Sequence, residues 1–275
     1  MSHAVFRRVF HEDEQLEYLL KVPMQAPPLT GHSLLLHLHG FSDGPESHAS
    51  PLTHAGSVAA LDGCVLVAPY CPVGKPWRPV LLRSLVDSLI KEFRVDRGRL
   101  FLTGFSMGGH AVLNLLAKYP STFAAAVAVA APSGLGAKPV TLPALPLACC
   151  ASCFPGRAPL PFQCLAPLAF AGCLTRLPDE HEHSRTLHFR EDELQRSRGV
   201  PLWIVYGTAD GAVPLRNADE VVSAFSRVKS NNVRRTTLVG VGHAQASVEA
   251  FSQPELYCWL HAQRRLGPWV LRRDS

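Results

Sequence analysis

Short apolar runs alternate with amphipathic helical stretches along this chain, and this alternation constrains the fold more than any other feature. The interior runs are continuously apolar, which is typical of parallel strands buried on both faces. Strands separated by helical segments favour a mostly parallel sheet covered by helices. The sequence therefore predicts an α/β fold. The predicted strands are residues 17–21, 33–38, 65–68, 100–103, 126–131, 202–206 and 235–239.

Helices are predicted between these strands. The clearest begins at Pro79, because the fixed φ of proline suits a first helical turn. A second covers residues 107–118 and ends before Pro120. Pro214 begins a third, and residues 254–264 form the last.

Composition sets the size and class of the protein. With 275 residues, of which 47% are hydrophobic and 18% charged, the chain can bury a substantial core. We predict a single domain over residues 1–275. No apolar run reaches the roughly 18 residues of a membrane-spanning helix. Residues 1–14 lack the apolar stretch of a signal peptide, so we expect a cytoplasmic protein without stable membrane insertion.

Charge and cysteine content exclude further classes. The net charge is +5, but the basic residues are spread along the chain in short pairs, which argues against a nucleic-acid partner. Five of the 8 cysteines fall within one short stretch, so they do not indicate a disulfide framework across the fold. We expect reduced thiols.

Residues 138–178 interrupt the alternation. This segment holds eight prolines and five cysteines, few charges and no periodicity. A connection of this length within a domain is usually functional or disordered. Three interpretations stay open: a lid over the substrate pocket, a flexible insertion of other purpose, or a non-native segment such as a translated intron.

A candidate nucleophile lies in the stretch Gly104-Phe-Ser106-Met-Gly108. The stretch follows an apolar strand and leads directly into a helix, which is the context of a nucleophile elbow. Flanking glycines allow the strand and helix to approach without Cβ clashes, and the sharp turn exposes the serine hydroxyl. The pattern predicts Ser106 at the carboxyl edge of the sheet.

A serine hydroxyl needs a histidine base that is itself oriented by a carboxylate. Asp210 follows the predicted strand 202–206, and His243 lies in the loop predicted after strand 235–239. Because carboxyl ends of parallel strands share one edge of the sheet, both side chains are expected near Ser106. The order serine, acid, histidine is the one that this arrangement requires.

Two backbone N–H groups are needed to bind the oxyanion of a tetrahedral intermediate. Met107 follows the nucleophile and provides one, and Phe41, in the loop after strand 33–38, is the candidate for the other. His37 and His39 precede that loop and could suggest a metal pair, but no third ligand is indicated. We expect them to support the loop.

No cofactor or metal is predicted. The Gly240-Val-Gly242 stretch lacks the third glycine of a dinucleotide-binding loop. Cys150 and Cys153 lie too far from His183 and His188 for the spacing of a zinc finger.

These motifs resemble the α/β-hydrolases of the phospholipase/carboxylesterase group, close to its acyl-protein-thioesterase-like and predicted-peptidase branches. The resemblance implies an α/β-hydrolase fold in which Ser106 is the nucleophile, Asp210 the acid and His243 the base. It also implies that the loop carrying Trp77 lies near the substrate pocket. The segments that carry it are residues 36–44, 67–72 with Trp77, 95–109, 120–125, 207–214, 242–243 and 254–260.

The expected function is that of a serine hydrolase. It would cleave carboxylic esters or thioesters, on small molecules or acylated proteins, through an acyl-enzyme intermediate. Two alternatives remain: a serine peptidase with the same residues, and a catalytically silent binding protein that retains the fold.

Overall fold

The computed structural model describes residues 5–11, 14–41, 61–72, 74–134 and 191–265. The predicted insertion at residues 138–178 lies outside these ranges. Within them, no helix is long and apolar enough to cross a membrane.

The described residues form one eight-stranded sheet with helices around it. The strands are β1 (Val5–His11), β2 (Glu14–Lys21), β3 (His32–Leu38), β4 (Cys64–Pro69), β5 (Val95–Phe105), β6 (Ala125–Val129), β7 (Leu202–Gly207) and β8 (Val233–Leu238). The helices are α1 (Pro79–Glu92), α2 (Met107–Lys118), α3 (Glu191–Ser197), α4 (Arg216–Arg227), α5 (His243–Phe251) and α6 (Pro254–Ala262).

The sheet is mostly parallel, with strand order β1-β2-β4-β3-β5-β6-β7-β8. Strand β2 runs antiparallel to both of its neighbours, β1 and β4. All other neighbouring pairs are parallel. The carboxyl ends of β3 and of β5 to β8 therefore meet at one edge of the sheet, and the predicted α/β class is confirmed.

The helices pack against the sheet through two apolar layers, one on each of its faces. Strands β3, β4, β6 and β7 are buried along their whole length, as their continuous apolar runs predict. Buried residues of α1, α2 and α4 belong to one core cluster, and those of α5 and α6 to the other. Helices thus cover both faces of the sheet, as predicted.

The strand predictions differ from the structure at the sheet edges and in the bounds of central strands, since β5 covers Val95–Phe105 where residues 100–103 were predicted. Strand β1 was not predicted. Strand β8 begins at Val233 and ends at Leu238, one residue before Val239, which is exposed. Strand β6 ends at Val129, two residues earlier than predicted, because Ala130 adopts a positive φ of 45° and turns the chain.

The helix predictions also need three corrections, of which the smallest is that α6 ends at Ala262 and not at residue 264. Helix α4 begins at Arg216 because Pro214 lies in a turn, where its carbonyl accepts the Asn217 N–H at 3.0 Å. The sequence predicted His243 in a loop, but in the structure His243 begins helix α5. The loop after β8 is therefore short.

Candidate active site

Ser106 lies in a strained turn between β5 and α2, with φ 52° and ψ −116°. Positive φ is rare for residues with a side chain and indicates a backbone held by its surroundings. A methyl group on Gly104 would overlap the Gly108 carbonyl, and one on Gly108 would overlap the Leu38 carbonyl. Glycine at both positions therefore permits the close approach that the elbow requires.

Backbone hydrogen bonds hold the elbow on both sides. The Ser106 N–H donates to the Val129 carbonyl of β6 at 2.9 Å. The Ser106 carbonyl in turn accepts the His110 N–H at 2.9 Å, which begins helix α2. The serine is thus attached both to the sheet and to the helix.

Asp210 lies in the loop after β7, and its side chain is completely buried. Its Oδ1 accepts the backbone N–H groups of Ala212 at 2.9 Å and Val213 at 2.8 Å. These bonds offset the cost of burying a carboxylate and fix the direction of Oδ2. That oxygen faces His243.

His243 connects the other two residues. Its Nδ1–H donates to Asp210 Oδ2 at 2.7 Å, and its Nε2 lies 2.9 Å from Ser106 Oγ. Because a carboxylate only accepts, the proton belongs on Nδ1, which leaves Nε2 free to accept the serine O–H. The structure therefore brings the three predicted residues into one chain of hydrogen bonds.

The loops that carry Asp210 and His243 are bonded to each other. Thr208 Oγ1 accepts the Gly240 N–H at 2.8 Å, and the Ala209 N–H donates to the Val241 carbonyl at 3.1 Å. A methyl group on Gly207 would overlap that same carbonyl. This close backbone contact fixes the distance between the acid and the histidine.

The two residues predicted to bind the oxyanion lie on segments that adjoin Ser106. Met107 is the first residue of α2, where backbone N–H groups have no partner within the helix. On the other side, a methyl group on Gly40 would lie 3.3 Å from Ser106 Cβ, so the loop that continues into Phe41 contacts the serine.

His39 holds this loop through both ring nitrogens. The Cys71 N–H donates to Nε2 at 3.0 Å, so the ring proton is on Nδ1 and donates to the Gly40 carbonyl at 2.6 Å. The Trp77 indole N–H donates to the His39 carbonyl at 3.2 Å. Since the Gly40 carbonyl and the Phe41 N–H belong to one planar peptide unit, His39 determines where that N–H points.

Trp77 and His37, which the sequence also singled out, make contacts within the fold. Trp77 is only 6% exposed and bonds to the loop described above, while its predicted contact with substrate stays a prediction. His37 Nδ1 lies 2.9 Å from Thr103 Oγ1, and its ring meets that of Phe251 edge-on at 4.9 Å. His37 is thus packed within the core.

Neutral groups surround the elbow on the side of β6. Burial lowers the pKa of His110, and its Nδ1–H donates to the Pro132 carbonyl at 3.0 Å. Burial also raises the pKa of Tyr206, whose hydroxyl donates to the Ala131 carbonyl at 2.6 Å. Both groups fix the backbone after β6 without adding charge.

Phe105 contacts the site but was not identified from the sequence. Its ring packs against the His243 ring, with centroids 4.8 Å apart. The elbow motif leaves this position open to any residue, so no signal in the sequence indicated the contact.

A comparison with protein families identifies the group to which this chain is related. The model of the Esterase family matches residues 58–261, a range that includes Ser106, Asp210 and His243. The chain belongs to the Esterase family. Phe41, the second candidate oxyanion donor, precedes the matched range.

One curated relative of this Esterase-family chain is a bifunctional acetylxylan esterase/xylanase, XynS20E, of Neocallimastix patriciarum. The two are 29% identical over 117 residues, which is 40% of this chain and 17% of the relative. The chain therefore matches a small part of that protein.

Solved structures confirm the α/β-hydrolase fold. A thermostable esterase superimposes with a TM-score of 0.66 and 17% identity, covering 95% of this chain and 63% of its own length. The S-formylglutathione hydrolase FrmB of Staphylococcus aureus gives a TM-score of 0.60 and 14% identity, covering 94% of this chain and 100% of its own. At these identities the likeness concerns the fold alone.

Proposed function

We propose that this protein is a serine hydrolase that cleaves carboxylic esters or thioesters. The observation that carries the proposal is the chain of hydrogen bonds from Asp210 Oδ2 through His243 to Ser106 Oγ, at 2.7 and 2.9 Å. This arrangement has the geometry and the tautomer that proton transfer from a serine requires.

Acylation uses the three side chains together. Ser106 Oγ attacks the substrate carbonyl while His243 Nε2 takes the hydroxyl proton, and Asp210 stabilises the imidazolium that forms. The N–H groups of Met107 and Phe41 bind the oxyanion, next to the positive end of the α2 dipole. His243 then gives its proton to the departing alkoxide or thiolate, which leaves an acyl ester on Ser106.

Deacylation repeats these steps with water. His243 takes a proton from water, which attacks the acyl carbonyl, and then returns a proton to Ser106 Oγ as the acid leaves. The products are the carboxylic acid and the free serine. No cofactor takes part in this proposal.

The proposed substrates extend to thioesters and to acylated proteins. The support is the resemblance to acyl-protein thioesterases, together with the shared fold of an S-formylglutathione hydrolase. An alkoxide or thiolate leaves more easily than an amine, so peptide cleavage would demand more of His243. We also propose a cytoplasmic location, the one expected from the sequence.

A fluorophosphonate probe tests the proposal. It reacts with a serine only when a base activates the hydroxyl, so we expect one covalent label at Ser106, located by peptide mass spectrometry. Ser106→Ala should remove the label and lower hydrolysis of a short-chain p-nitrophenyl ester by a factor on the order of 10⁶. A buried serine outside the site, Ser133, provides the control as Ser133→Ala.

Two results would contradict the proposal. A folded protein that neither labels nor hydrolyses esters would favour the silent binding protein. Residual activity above about a tenth of wild type in Ser106→Ala would mean that another group is the nucleophile, because removal of a true nucleophile costs far more. Independently of these results, a matched series of p-nitrophenyl esters, thioesters and anilides would rank the three substrate classes by their rates of hydrolysis.

A further inference from the structure

Phe105 occupies the position between the proposed base and the proposed oxyanion loop. Its ring lies 4.8 Å from the His243 ring, centroid to centroid, at an interplanar angle of 40°. The same ring also lies against the oxyanion loop, since a methyl group on Gly40 would lie 2.8 Å from Phe105 Cδ1 and 3.1 Å from Cε1. One aromatic ring therefore contacts both halves of the site.

Backbone bonds hold Phe105 in this place. It is the last residue of β5 and pairs with Val129 of β6, and the Ser106 N–H that follows is bonded to the same Val129. The ring is partly buried and packs against the core cluster that also contains α5. Its backbone belongs to the sheet, whereas His243 lies on helix α5 and its side chain is 24% exposed.

We propose that Phe105 is a positioning residue, which holds His243 in line with Ser106 and supports Gly40 of the oxyanion loop. This inference rests on the proposed function and extends it to a residue outside the proposed triad and oxyanion donors. Hydrogen bonds to Asp210 at Nδ1 and to Ser106 at Nε2 hold the two nitrogens of the His243 ring, so the ring can still tilt about the line that joins them. The Phe105 ring, which packs against the His243 ring at an interplanar angle of 40°, limits this tilt.

An aromatic ring has a second effect that an aliphatic side chain lacks. When His243 takes the proton of Ser106 it becomes a cation, and a cation over the π face of a ring within about 6 Å is attracted to it. The Phe105 ring lies at 4.8 Å but is tilted by 40°, so this attraction is the weaker part of its effect. Asp210 is the charged group that bonds to the same imidazole, and its attraction is present with or without Phe105. Loss of the ring should therefore slow the step in which the imidazolium forms.

The sheet contains a matched control. Phe101 lies on the same strand, four residues earlier, and its ring packs against His261 with centroids 5.0 Å apart at 35°. The same aromatic pair thus occurs twice on β5, once at the candidate site and once away from it. Phe101→Leu should weaken packing without changing the chemistry at Ser106.

The experiment compares Phe105→Leu, Phe105→Tyr and Phe101→Leu with wild type. For Phe105→Leu we expect kcat for a p-nitrophenyl ester, and the rate of fluorophosphonate labelling, to fall by about 3- to 30-fold with KM changed less than about twofold. Phe105→Tyr keeps the ring and should stay within about threefold of wild type. Phe101→Leu should retain wild-type kcat.

Several outcomes would overturn the inference. Phe105→Leu with wild-type kcat and labelling, Phe105→Tyr as slow as Phe105→Leu, or an equal loss of kcat in Phe101→Leu would each show that the ring does not position the base. If Phe105→Leu does not fold, as judged by circular dichroism, Phe105→Met takes its place, since methionine adapts to irregular space. Absence of labelling in wild type would refute the proposed function itself. That result differs from the three above, because it concerns wild type and not the variants alone.

Discussion

The hydrogen bonds of His39 lead to a quantitative prediction about the oxyanion loop. Nε2 accepts the Cys71 N–H and Nδ1–H donates to the Gly40 carbonyl, so one side chain both anchors the loop and orients the Phe41 N–H. These two tasks are separable because an asparagine amide nitrogen occupies nearly the place of Nδ1, while a glutamine amide reaches the place of Nε2.

His39→Gln should keep the bond to Cys71 and lose the one to Gly40. Without that bond the peptide unit can rotate, and the Phe41 N–H no longer points at the oxyanion. Removal of one oxyanion donor typically costs about 10² to 10³ in kcat. We expect a loss of kcat approaching that range, with KM little changed, since the donor acts in the transition state.

His39→Asn should show the opposite pattern. It keeps a donor to Gly40 but leaves the buried Cys71 N–H unsatisfied, which should lower the free energy of unfolding by about 1 to 3 kcal/mol. The loss of kcat should be smaller than in His39→Gln. Urea denaturation gives the stability, and steady-state kinetics below the unfolding transition give kcat.

His37→Asn is the matched control, because His37 lies two residues earlier on β3 and is also buried. It should change stability without a selective loss of kcat. The reasoning would be refuted if His39→Gln turned over ester as fast as wild type, or if His37→Asn lost as much kcat as His39→Gln. Either result would mean that the direction of the Phe41 N–H does not depend on His39.

Two further predictions concern the proposed acid and a distant histidine. Asp210→Asn should leave the fold intact but present an amide N–H to His243 Nδ1. This favours the wrong tautomer of His243 and should lower kcat by up to roughly 10⁴. Near-normal activity would mean that another carboxylate is the acid. Burial, followed by the charge of Arg99, lowers the pKa of His261 from 6.5 to about 4. The unfolded chain therefore binds a proton at this position between these pH values while the folded chain does not, so stability should decrease as pH falls from 6.5 towards 4. His261→Gln should reduce that decrease in urea denaturation at pH 7 and pH 5, and an unchanged pH dependence would contradict the assignment.

The sequence alone was sufficient for the central sheet and for the order of the proposed triad. Continuous apolar runs such as β3 and β7 are unmistakable because both faces of the strand are buried. Ser106 and Asp210 each follow a strand with an apolar run, His243 follows the partly exposed edge strand β8, and parallel strands bring their carboxyl ends to one edge. That reasoning needs only local patterns and one general property of parallel sheets.

The edge strands of the sheet and the first residues of the helices were harder to predict from the sequence. Strand β1 was missed because an edge strand pairs with β2 on one side only and carries no continuous apolar run. The start of helix α5 at His243 was missed because the first turn contains no acidic residue and the cap, Gly242, makes no side-chain hydrogen bond. These elements form through tertiary pairing and packing rather than through local sequence signals.

Only the tertiary structure established how the site is supported. The support consists of contacts of His39 with Cys71 and of Phe105 with His243 and Gly40. These partners are far apart in the sequence, and Phe105 and His243 are separated by more than a hundred positions. A hydrogen bond or a ring contact depends on distance and orientation, which no spacing in the sequence encodes. The sequence therefore determined which groups carry the proposed chemistry, and packing decided which neighbours hold those groups in place.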